Sequence, residues 1–193
     1  MWLSPTLFGL YIDKLEEWMN KTNGEGVQLA HFVIRLLLYA DDLIIFAKTA
    51  KGLKEHLKAL ENFCHEVGMQ VNTSKTKIMI FSLKKNKDIQ NEFMFEGSPL
   101  EIVEEYKYLG IDFHNKLNWD TCRSKRIQGG WKALYSLQKK CRNAELWDWT
   151  TMKTLFGLLV TPVILYGCEV WGGSMTKQKW RQVERIQKHF MQS

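Results

Sequence analysis

The sequence predicts an α+β protein, with helices and short antiparallel strands over residues 1–117 and helices alone over residues 118–193. Apolar, β-prone runs between turn residues predict the strands of the first part. Apolar residues spaced three and four apart predict the helices of the second part. Charge separates the same two parts, because the first carries 14 basic and 16 acidic side chains and the second carries 13 and 5. This imbalance indicates either an acid-bearing site joined to an anion-binding surface or ordinary solvated helix faces.

The first helix is predicted from Ser4 and Pro5, a capping hydroxyl followed by proline at the first helical position. Apolar side chains then recur at helical spacing. They are Leu7, Phe8, Tyr11, Leu15, Trp18 and Met19. Residues 23–26 predict a turn, after which the pattern becomes that of strands.

Residues 31–38 and 43–48 are two apolar runs joined across Ala40, Asp41 and Asp42. The pattern predicts a hairpin that carries both acids at its tip and whose strands form the core of a sheet. Carboxylates are rarely buried unless they are paired or bound to metal. A tight turn allows a carboxylate to face outward and to bind a divalent cation, which prefers oxygen ligands. The alternative is a plain acidic turn, because aspartate is a common turn residue.

A second helix is predicted between Thr49, its N-cap, and Gly68, its C-terminal glycine. Its inward face is Leu53, Leu57, Leu60, Cys64 and Val67. Further strands are predicted over residues 77–83, 93–95 and 106–113.

After Asn118 the sequence predicts a long basic helix, a helix from about Thr150 or Thr151, and a helix from about Thr176. The first has Ile127, Trp131, Leu134, Leu137 and Cys141 on its inward face, and the last has Trp180, Val183, Ile186 and Phe190. Trp131 and Trp180 are interpreted as core residues. Pro162 predicts a kink or break in the apolar run 155–167, which is read as a buried helix.

Several classes of protein are disfavoured. The four cysteines, Cys64, Cys122, Cys141 and Cys168, include no CxxC pair, and the histidines complete no zinc pattern, so reduced thiols are expected. The N-terminus lacks the basic region of a signal peptide, and the run 155–167 is too short to span a bilayer. These features predict an intracellular protein without a membrane segment, in the nucleus or the cytoplasm.

Five motifs stand in a particular order: LSPTLFGLYIDKL, then YADD within its apolar hairpin, GMQVNTSKTK, YKYLGI, and YGCEVWG at residues 166–172. In this order and spacing they resemble the polymerase domain of reverse transcriptases, most closely those of non-LTR (LINE-type) retrotransposons. The resemblance covers nearly the whole chain. It implies part of a polymerase palm over residues 1–117 and a helical thumb over residues 118–193.

The resemblance implies a role for each motif. Asp41 would be the principal ligand of Mg²⁺ or Mn²⁺, and Asp42 its weaker neighbour. Lys75 would lie near the leaving pyrophosphate as a candidate general acid, unless it is a solvated turn lysine. The primer grip, which positions the 3′ end of the primer, would be Tyr108, Leu109 and Gly110, unless they form a plain strand with a glycine bulge.

Nucleic acid would contact two further groups of residues. Ser4 and Pro5, within LSPTLF, would belong to the tail of the helix that contacts the template and the nucleotide. The thumb would grip the backbone of the template–primer duplex through its phosphates. Its residues would be Arg123, Lys125, Arg126, Lys139, Lys140 and Arg142. The partners implied are an RNA template, a DNA primer and deoxynucleotide triphosphates.

The departures from the family pattern matter equally. In the family, a strand earlier in the chain supplies an aspartate that bridges both metals, and the fingers hold the incoming triphosphate. Only residues 1–3 precede the first helix here, and neither Asp13 nor Asp112 has the spacing to substitute. The expectation is a truncated RNA-directed DNA polymerase, a nucleotidyltransferase inactive as this chain alone or active only with a complementing fragment. The alternatives are a non-catalytic nucleic-acid-binding remnant and a pseudogene product.

Overall fold

A computed structural model describes residues 3–82 and 92–192 of the chain. Their contacts divide into two compact units, residues 3–78 with 92–103, and residues 79–82 with 104–192. The second unit therefore begins well before residue 118. The functional division into palm and thumb is a separate question and stays a prediction.

The helices of the first unit are α1 (Leu3–Ile12), α2 (Lys14–Asn20) and α3 (Ala50–Val67). α1 begins one residue before the predicted cap at Ser4, a difference common at helix ends. The side chains of Ser4 and Pro5 lie outside the described part of the structure. The single helix predicted to Met19 is divided at Asp13, which nevertheless keeps helical angles and donates its N–H to the Gly9 carbonyl at 3.0 Å.

Helix α3 confirms its predicted ends. The hydroxyl of Thr49 accepts a hydrogen bond from the Gly52 amide at 3.0 Å, which satisfies one of the free N–H groups of the first turn. Gly68 ends the helix with φ of +69°, in the left-handed region that glycine adopts without strain. Its buried residues are Gly52, His56, Leu57, Ala59, Leu60, Phe63 and Cys64.

The strands of the first unit are short. They are β1 (Val27–Leu29), β2 (Phe32–Ile34), β3 (Leu36–Tyr39), β4 (Asp42–Ile45), β5 (Lys77–Ile78), β6 (Met94–Phe95), β7 (Ser98–Pro99) and β8 (Glu101–Ile102). The pairs β1–β2, β3–β4 and β6–β7 are antiparallel, whereas β5 and β8 pair in parallel. The apolar run 31–38 thus contributes to two hairpins. Of the predicted strand 77–83, the first two residues pair, and its last residue lies outside the described part.

The core of the first unit lies between α2, α3 and the β6–β7 hairpin. Its fully buried apolar side chains include Leu15, Met19, Phe63, Cys64 and Phe95. These residues come from two predicted helices and one predicted strand, so the periodic pattern identified most of this core.

The second unit opens with an antiparallel hairpin and continues as helices. Its elements are β9 (Glu105–Tyr108), β10 (Ile111–His114), α4 (Asp120–Asn143), α5 (Trp149–Leu159), α6 (Thr161–Leu165), α7 (Cys168–Trp171) and α8 (Lys177–Gln192). The break predicted at Pro162 lies between α5 and α6, where proline occupies the first turn of α6. Asp148 caps α5, its carboxylate accepting from the Thr151 amide at 2.8 Å.

Helices α4, α6 and α8 enclose the core of the second unit. It is built from Leu134, Leu137, Cys141, Val160, Ile164, Ile186 and Phe190. Trp131 packs against this core and Trp180 lies against the buried Trp171, so both tryptophans are packing residues as predicted. The run 155–167 is less buried than predicted, because α5 packs along one side only and leaves Leu158 66% exposed.

The cysteines Cys64, Cys122 and Cys141 are buried, Cys168 is half-buried, and none of the four is joined in a disulfide to another described residue. In the described part of the chain, no single helix has the length and apolar composition to cross a membrane; one bent pair, Trp149–Leu165 with Cys168–Ser174, meets the criterion by length and composition.

Candidate functional site

The two acids of the YADD motif lie at the tip of a hairpin, as predicted. Tyr39 of β3 pairs with Asp42 of β4, so Ala40 and Asp41 form the two-residue turn between them. Ala40 has φ of +52°, and a positive φ at the first turn residue matches the right-handed twist of a tight hairpin. Asp41 therefore lies in the turn itself, and Asp42 is the first residue of the returning strand.

The base of this hairpin is attached to two helices. The Phe46 amide donates to the Arg35 carbonyl at 2.7 Å, which extends the pairing below the strands. The guanidinium of Arg35 donates to the side chain of Asn20 at 3.1 Å, at the end of α2. Three residues after Phe46, Thr49 caps α3. The position of the turn thus depends on α2 and α3.

The predicted burial of the hairpin strands is wrong. Leu37 and Tyr39 are 45% and 62% exposed, and the strands β3 and β4 form a two-stranded sheet. In the described part of the chain, neither strand pairs with a further strand on its outer edge. A two-stranded sheet without a covering layer leaves side chains of both faces in contact with solvent, because successive residues point to opposite faces. Leu43, Ile44 and Ile45 of β4 are half-buried, so the hairpin has partly covered side chains but no fully buried ones.

The carboxylates of Asp41 and Asp42 are both exposed. Among the described residues, neither has a hydrogen-bond or ion-pair partner in the protein. Two exposed carboxylates offer the hard oxygen ligands that Mg²⁺ and Mn²⁺ prefer, with water and phosphate oxygens completing the shell. They fit a divalent cation as two ligands only, because the described part of the chain contains no group of three acidic, histidine or cysteine side chains placed to hold a metal.

Lys75 lies in a turn that Asn72 organises. The side chain of Asn72 accepts from the Ser74 hydroxyl at 2.7 Å and from the Lys75 amide at 3.2 Å. The backbone carbonyl of Asn72 accepts from the Thr76 amide at 3.0 Å. These bonds form a turn in which a side chain replaces a backbone acceptor. Lys75 is exposed and belongs to the same unit as Asp41 and Asp42.

The YLG motif forms a tight turn and not a strand with a bulge. Tyr108 of β9 pairs with Ile111 of β10, so Leu109 and Gly110 connect the strands. Their φ angles are +46° and +82°, and positive φ at both positions is typical of a type I′ hairpin turn. The turn lies at the surface, with Leu109 39% exposed.

Two side chains from elsewhere in the second unit reach the carbonyl groups of this turn. The Tyr166 hydroxyl donates to the Leu109 carbonyl at 2.8 Å. The Arg126 guanidinium donates to the Gly110 carbonyl. Arg126 also lies over the ring of Tyr166, with 4.7 Å between the guanidinium carbon and the ring centroid. Leu109 and Gly110 are therefore held by α4 and by the segment between α6 and α7.

The six basic residues predicted to contact phosphates fall into two groups. Arg123 is buried and donates to Asp120 and to the Ser174 hydroxyl, and the Lys125 ammonium lies 2.6 Å from Asp112. With Arg126, these residues have partners within the protein. The other group is exposed at the C-terminal end of α4, and it comprises Lys139, Lys140 and Arg142.

Sequence reasoning left three of these contacts unassigned. Tyr166 stood within the YGCEVWG motif and Asn72 within GMQVN, but neither residue had a role. The buried position of Arg123 was also unforeseen, because it depends on Asp120 and on Ser174, which lies 51 residues away. For Tyr166 and Asn72 the signal was their position within motifs that the sequence analysis had already identified. The third is a long-range pairing that local sequence pattern does not contain.

Comparison with known proteins gives consistent results. The model of the family "Reverse transcriptase (RNA-dependent DNA polymerase)" matches residues 1–113. The chain is 32% identical over 142 residues to an uncharacterized transposon-derived protein of Caenorhabditis elegans, which covers 70% of this chain and 48% of that protein.

Two further relatives are polyproteins of transposable elements. The chain is 31% identical over 118 residues to the retrovirus-related Pol polyprotein from type-2 retrotransposable element R2DM of Drosophila melanogaster, covering 58% of this chain and 11% of the relative. It is 29% identical over 118 residues to the Pol polyprotein from type-1 retrotransposable element R2 of Bradysia coprophila, covering 56% and 13%. The chain thus spans less than half the length of each of these relatives.

Proposed function

The chain belongs to the reverse transcriptase (RNA-dependent DNA polymerase) family, its resemblance to the LINE-type members is confirmed, and from this premise we propose that it carries the metal-binding turn and the primer–template surface of an RNA-directed DNA polymerase. The observation that carries the proposal is the YADD turn. Asp41 and Asp42 stand at an exposed hairpin tip, with their carboxylates unengaged by any described residue.

The two carboxylates would hold Mg²⁺ or Mn²⁺ beside the phosphates of the nucleotide. Bound there, a divalent ion supplies charge stabilisation for the attacking and leaving oxygens of phosphoryl transfer. As the resemblance to the family implies, Asp41 in the turn would be the principal ligand, and Asp42, the first residue of β4, its weaker neighbour.

Further residues, Lys75 in the first unit and the others in the second, would each bind part of the proposed substrates, an RNA template, a DNA primer and deoxynucleotide triphosphates. Lys75, on its ordered turn, would act near the leaving pyrophosphate as a proton donor. The Leu109–Gly110 turn, with Tyr108, would position the 3′ end of the primer. The exposed Lys139, Lys140 and Arg142 would contact duplex phosphates, which carry affinity but no sequence preference.

Metal binding tests the central part of this proposal. Mn²⁺ binding to the chain can be titrated by electron paramagnetic resonance, which measures the free ion. We expect weak binding that Asp41→Asn abolishes, that Asp42→Asn reduces, and that Asp13→Asn leaves unchanged, since Asp13 lies between α1 and α2 and outside the turn. Equal binding by the wild type and the Asp41→Asn variant would contradict the proposed metal turn.

Polymerase activity is tested separately by primer extension on an RNA template with Mg²⁺. A two-ion site needs more ligands than two adjacent carboxylates provide, and the described residues include no further group placed to supply them. We therefore expect no extension by this chain alone. Extension that Asp41→Asn abolishes would prove this expectation wrong and establish a complete catalytic centre.

A second candidate function is non-catalytic binding of nucleic acid, favoured by the exposed basic end of α4. An RNA–DNA hybrid should bind with an affinity that falls as salt rises, because each phosphate contact releases counterions. Changing Lys139, Lys140 and Arg142 to alanine should reduce the log–log salt slope by roughly 2 to 3. The matched control removes equal charge from the first unit, at the exposed Lys14, Lys21 and Lys51. Equal slopes for the two triple variants would exclude this assignment.

A further inference from the structure

The turn between β9 and β10 has a conformation that its own sequence does not favour. Leu109 has φ of +46°, in the left-handed region where a side chain with a Cβ is strained. Type I′ turns are usually made by Asn-Gly or Asp-Gly, whose residues enter this region readily. Gly110 meets that requirement, but Leu109 does not. Ala30, Ala40 and Glu96 take the same conformation in their own hairpin turns, so such a turn tolerates the strain, and contacts from outside the hairpin add to the stability of this one.

Arg126 and Tyr166 supply those contacts. Tyr166 donates to the Leu109 carbonyl at 2.8 Å, and Arg126 donates to the Gly110 carbonyl, so both peptide groups of the turn are fixed in direction. The Tyr166 ring also lies against Gly110, where an added Cβ would come within 3.1 Å of a ring carbon. Arg126 is half-buried, and it lies over the same ring at 4.7 Å. We call Arg126 and Tyr166 the turn clamp.

The clamp is itself held by the segment that follows α6. The Tyr166 carbonyl accepts a hydrogen bond from the buried indole of Trp171 at 3.0 Å. Gly167, with φ of +68°, lies so close to Ile111 that a Cβ would come within 2.1 Å of its side chain. This close approach brings Tyr166 beside the hairpin. Tyr166, Gly167 and Trp171 of the YGCEVWG motif thus lie together beside Ile111, the first residue of β10.

We propose that Arg126 and Tyr166 are positioning residues that fix the Leu109–Gly110 turn in the orientation that meets the 3′ end of the primer. The inference rests on the proposed function of that turn. It also changes the role of Arg126, which is directed at a backbone carbonyl and an aromatic ring and does not grip the duplex backbone. Neither side chain contacts the reacting atoms. Both act through the turn.

Photo-crosslinking of the full 193-residue chain tests the proposal. The probe is an RNA–DNA hybrid whose primer carries 4-thiothymidine at its 3′ end, and a second hybrid carries it near the 5′ end. Crosslinked peptides are mapped by mass spectrometry, and hybrid affinity is measured by fluorescence titration.

Two variants test the clamp: Tyr166→Phe removes only the hydroxyl, and Arg126→Lys keeps the charge. Tyr135→Phe and Arg181→Lys make the same changes at exposed positions outside the clamp.

Wild type should crosslink from the primer 3′ end to residues 105–114. Each clamp variant should lower that yield roughly two- to tenfold, the factor that corresponds to one net hydrogen bond. Affinity, the 5′-end crosslinks and the folded circular dichroism signal should stay unchanged, which separates positioning from a merely structural role. The two control variants should crosslink like wild type.

Two other results would overturn the inference in distinguishable ways. If wild type crosslinks at the turn and both clamp variants give the same yield, Arg126 and Tyr166 have no positioning role, while the proposed function of the turn stands. If wild type binds the hybrid but its primer end does not crosslink to residues 105–114, the proposed function of the turn is wrong, and the positioning role is lost with it.

Discussion

Lys179 extends from the first turn of α8 so that its ammonium lies 2.5 Å from the carboxylate of Asp120, in the first turn of α4. The same carboxylate accepts from Arg123, so one acid joins a lysine and a buried arginine. Arg123 in turn donates to the Ser174 hydroxyl, just before α8. This cluster ties the starts of two helices whose later turns share a core.

The cluster predicts how the second unit responds to acid. Hydrogen bonds from Lys179 and Arg123 lower the pKa of Asp120 to about 2. Because this pKa is lower in the folded state, the stabilisation is present above the ordinary aspartate value and is lost as pH falls towards 2. We expect Asp120→Asn to lower the unfolding temperature at pH 7, with a difference that shrinks between pH 4 and 2. Glu145→Gln, which removes an exposed carboxylate from the same unit, is the matched control.

His56 predicts a different pH dependence for the first unit. Its Nε2 lies 3.1 Å from the Gly24 carbonyl, while the buried Nδ1 has no hydrogen-bond partner among the described residues. Burial lowers the pKa of His56 below the ordinary value, against a smaller opposing effect of the Gly24 contact.

The unfolded chain therefore binds this proton more readily, so folding stability is complete above about pH 6.5 and falls as pH drops below it. His56→Asn should flatten this part of the stability curve, measured by urea unfolding between pH 5 and 7. His31→Asn, at an exposed position of the same unit, is the matched control and should retain the slope. A slope that survives His56→Asn would show that other groups cause it.

The N-cap of helix α3 leads to a prediction about how much its hydrogen bond contributes to the free energy of unfolding. Thr49→Ala removes the acceptor of the Gly52 amide, and such changes typically cost about 1 kcal/mol. Thr49→Ser keeps the acceptor, and because serine caps helices at least as well as threonine, its free energy of unfolding should stay close to that of the wild type. Urea unfolding of both variants measures the difference. Equal free energies of unfolding would mean that the hydrogen bond contributes nothing net.

We expect Gly167→Ala to lower the free energy of unfolding by more than Thr49→Ala does. An alanine there would be held at positive φ, and its Cβ would come within 2.1 Å of Ile111. The strain and the overpacking together should cost roughly 2–4 kcal/mol. Gly173→Ala is the matched control, because no described atom lies within 4 Å of its added Cβ. Thermal unfolding should separate the two variants, and similar midpoints would refute the close packing around Gly167.

The sequence predicted those parts of the fold whose cause is local. Thr49, Gly68 and the apolar spacing between them were sufficient for α3. The acids of YADD identified a tight turn, and Pro162 identified the break after α5. Each of these depends on residues within a few positions of one another.

What the sequence did not predict depends on distant residues or on the absence of a covering layer. The exposure of Leu37 and Tyr39 follows from which strands pair, not from their own composition. Arg126 belongs to a basic helix, so its pattern suggested phosphate contacts, whereas its partners are Gly110 and Tyr166. Charge patterning predicts a basic surface but not which cations are already paired within the fold.

The turn clamp also has a consequence for the order of folding. The β9–β10 hairpin connects neighbouring residues and can close within microseconds. The bond from Tyr166 to Leu109 spans 57 residues, so it forms only after α4 to α6 have folded and the entropy of that loop has been lost. Leu109 therefore enters its left-handed conformation against strain until that late contact arrives. We expect the tip of this hairpin to be among the last parts of the second unit to gain protection from hydrogen exchange during refolding.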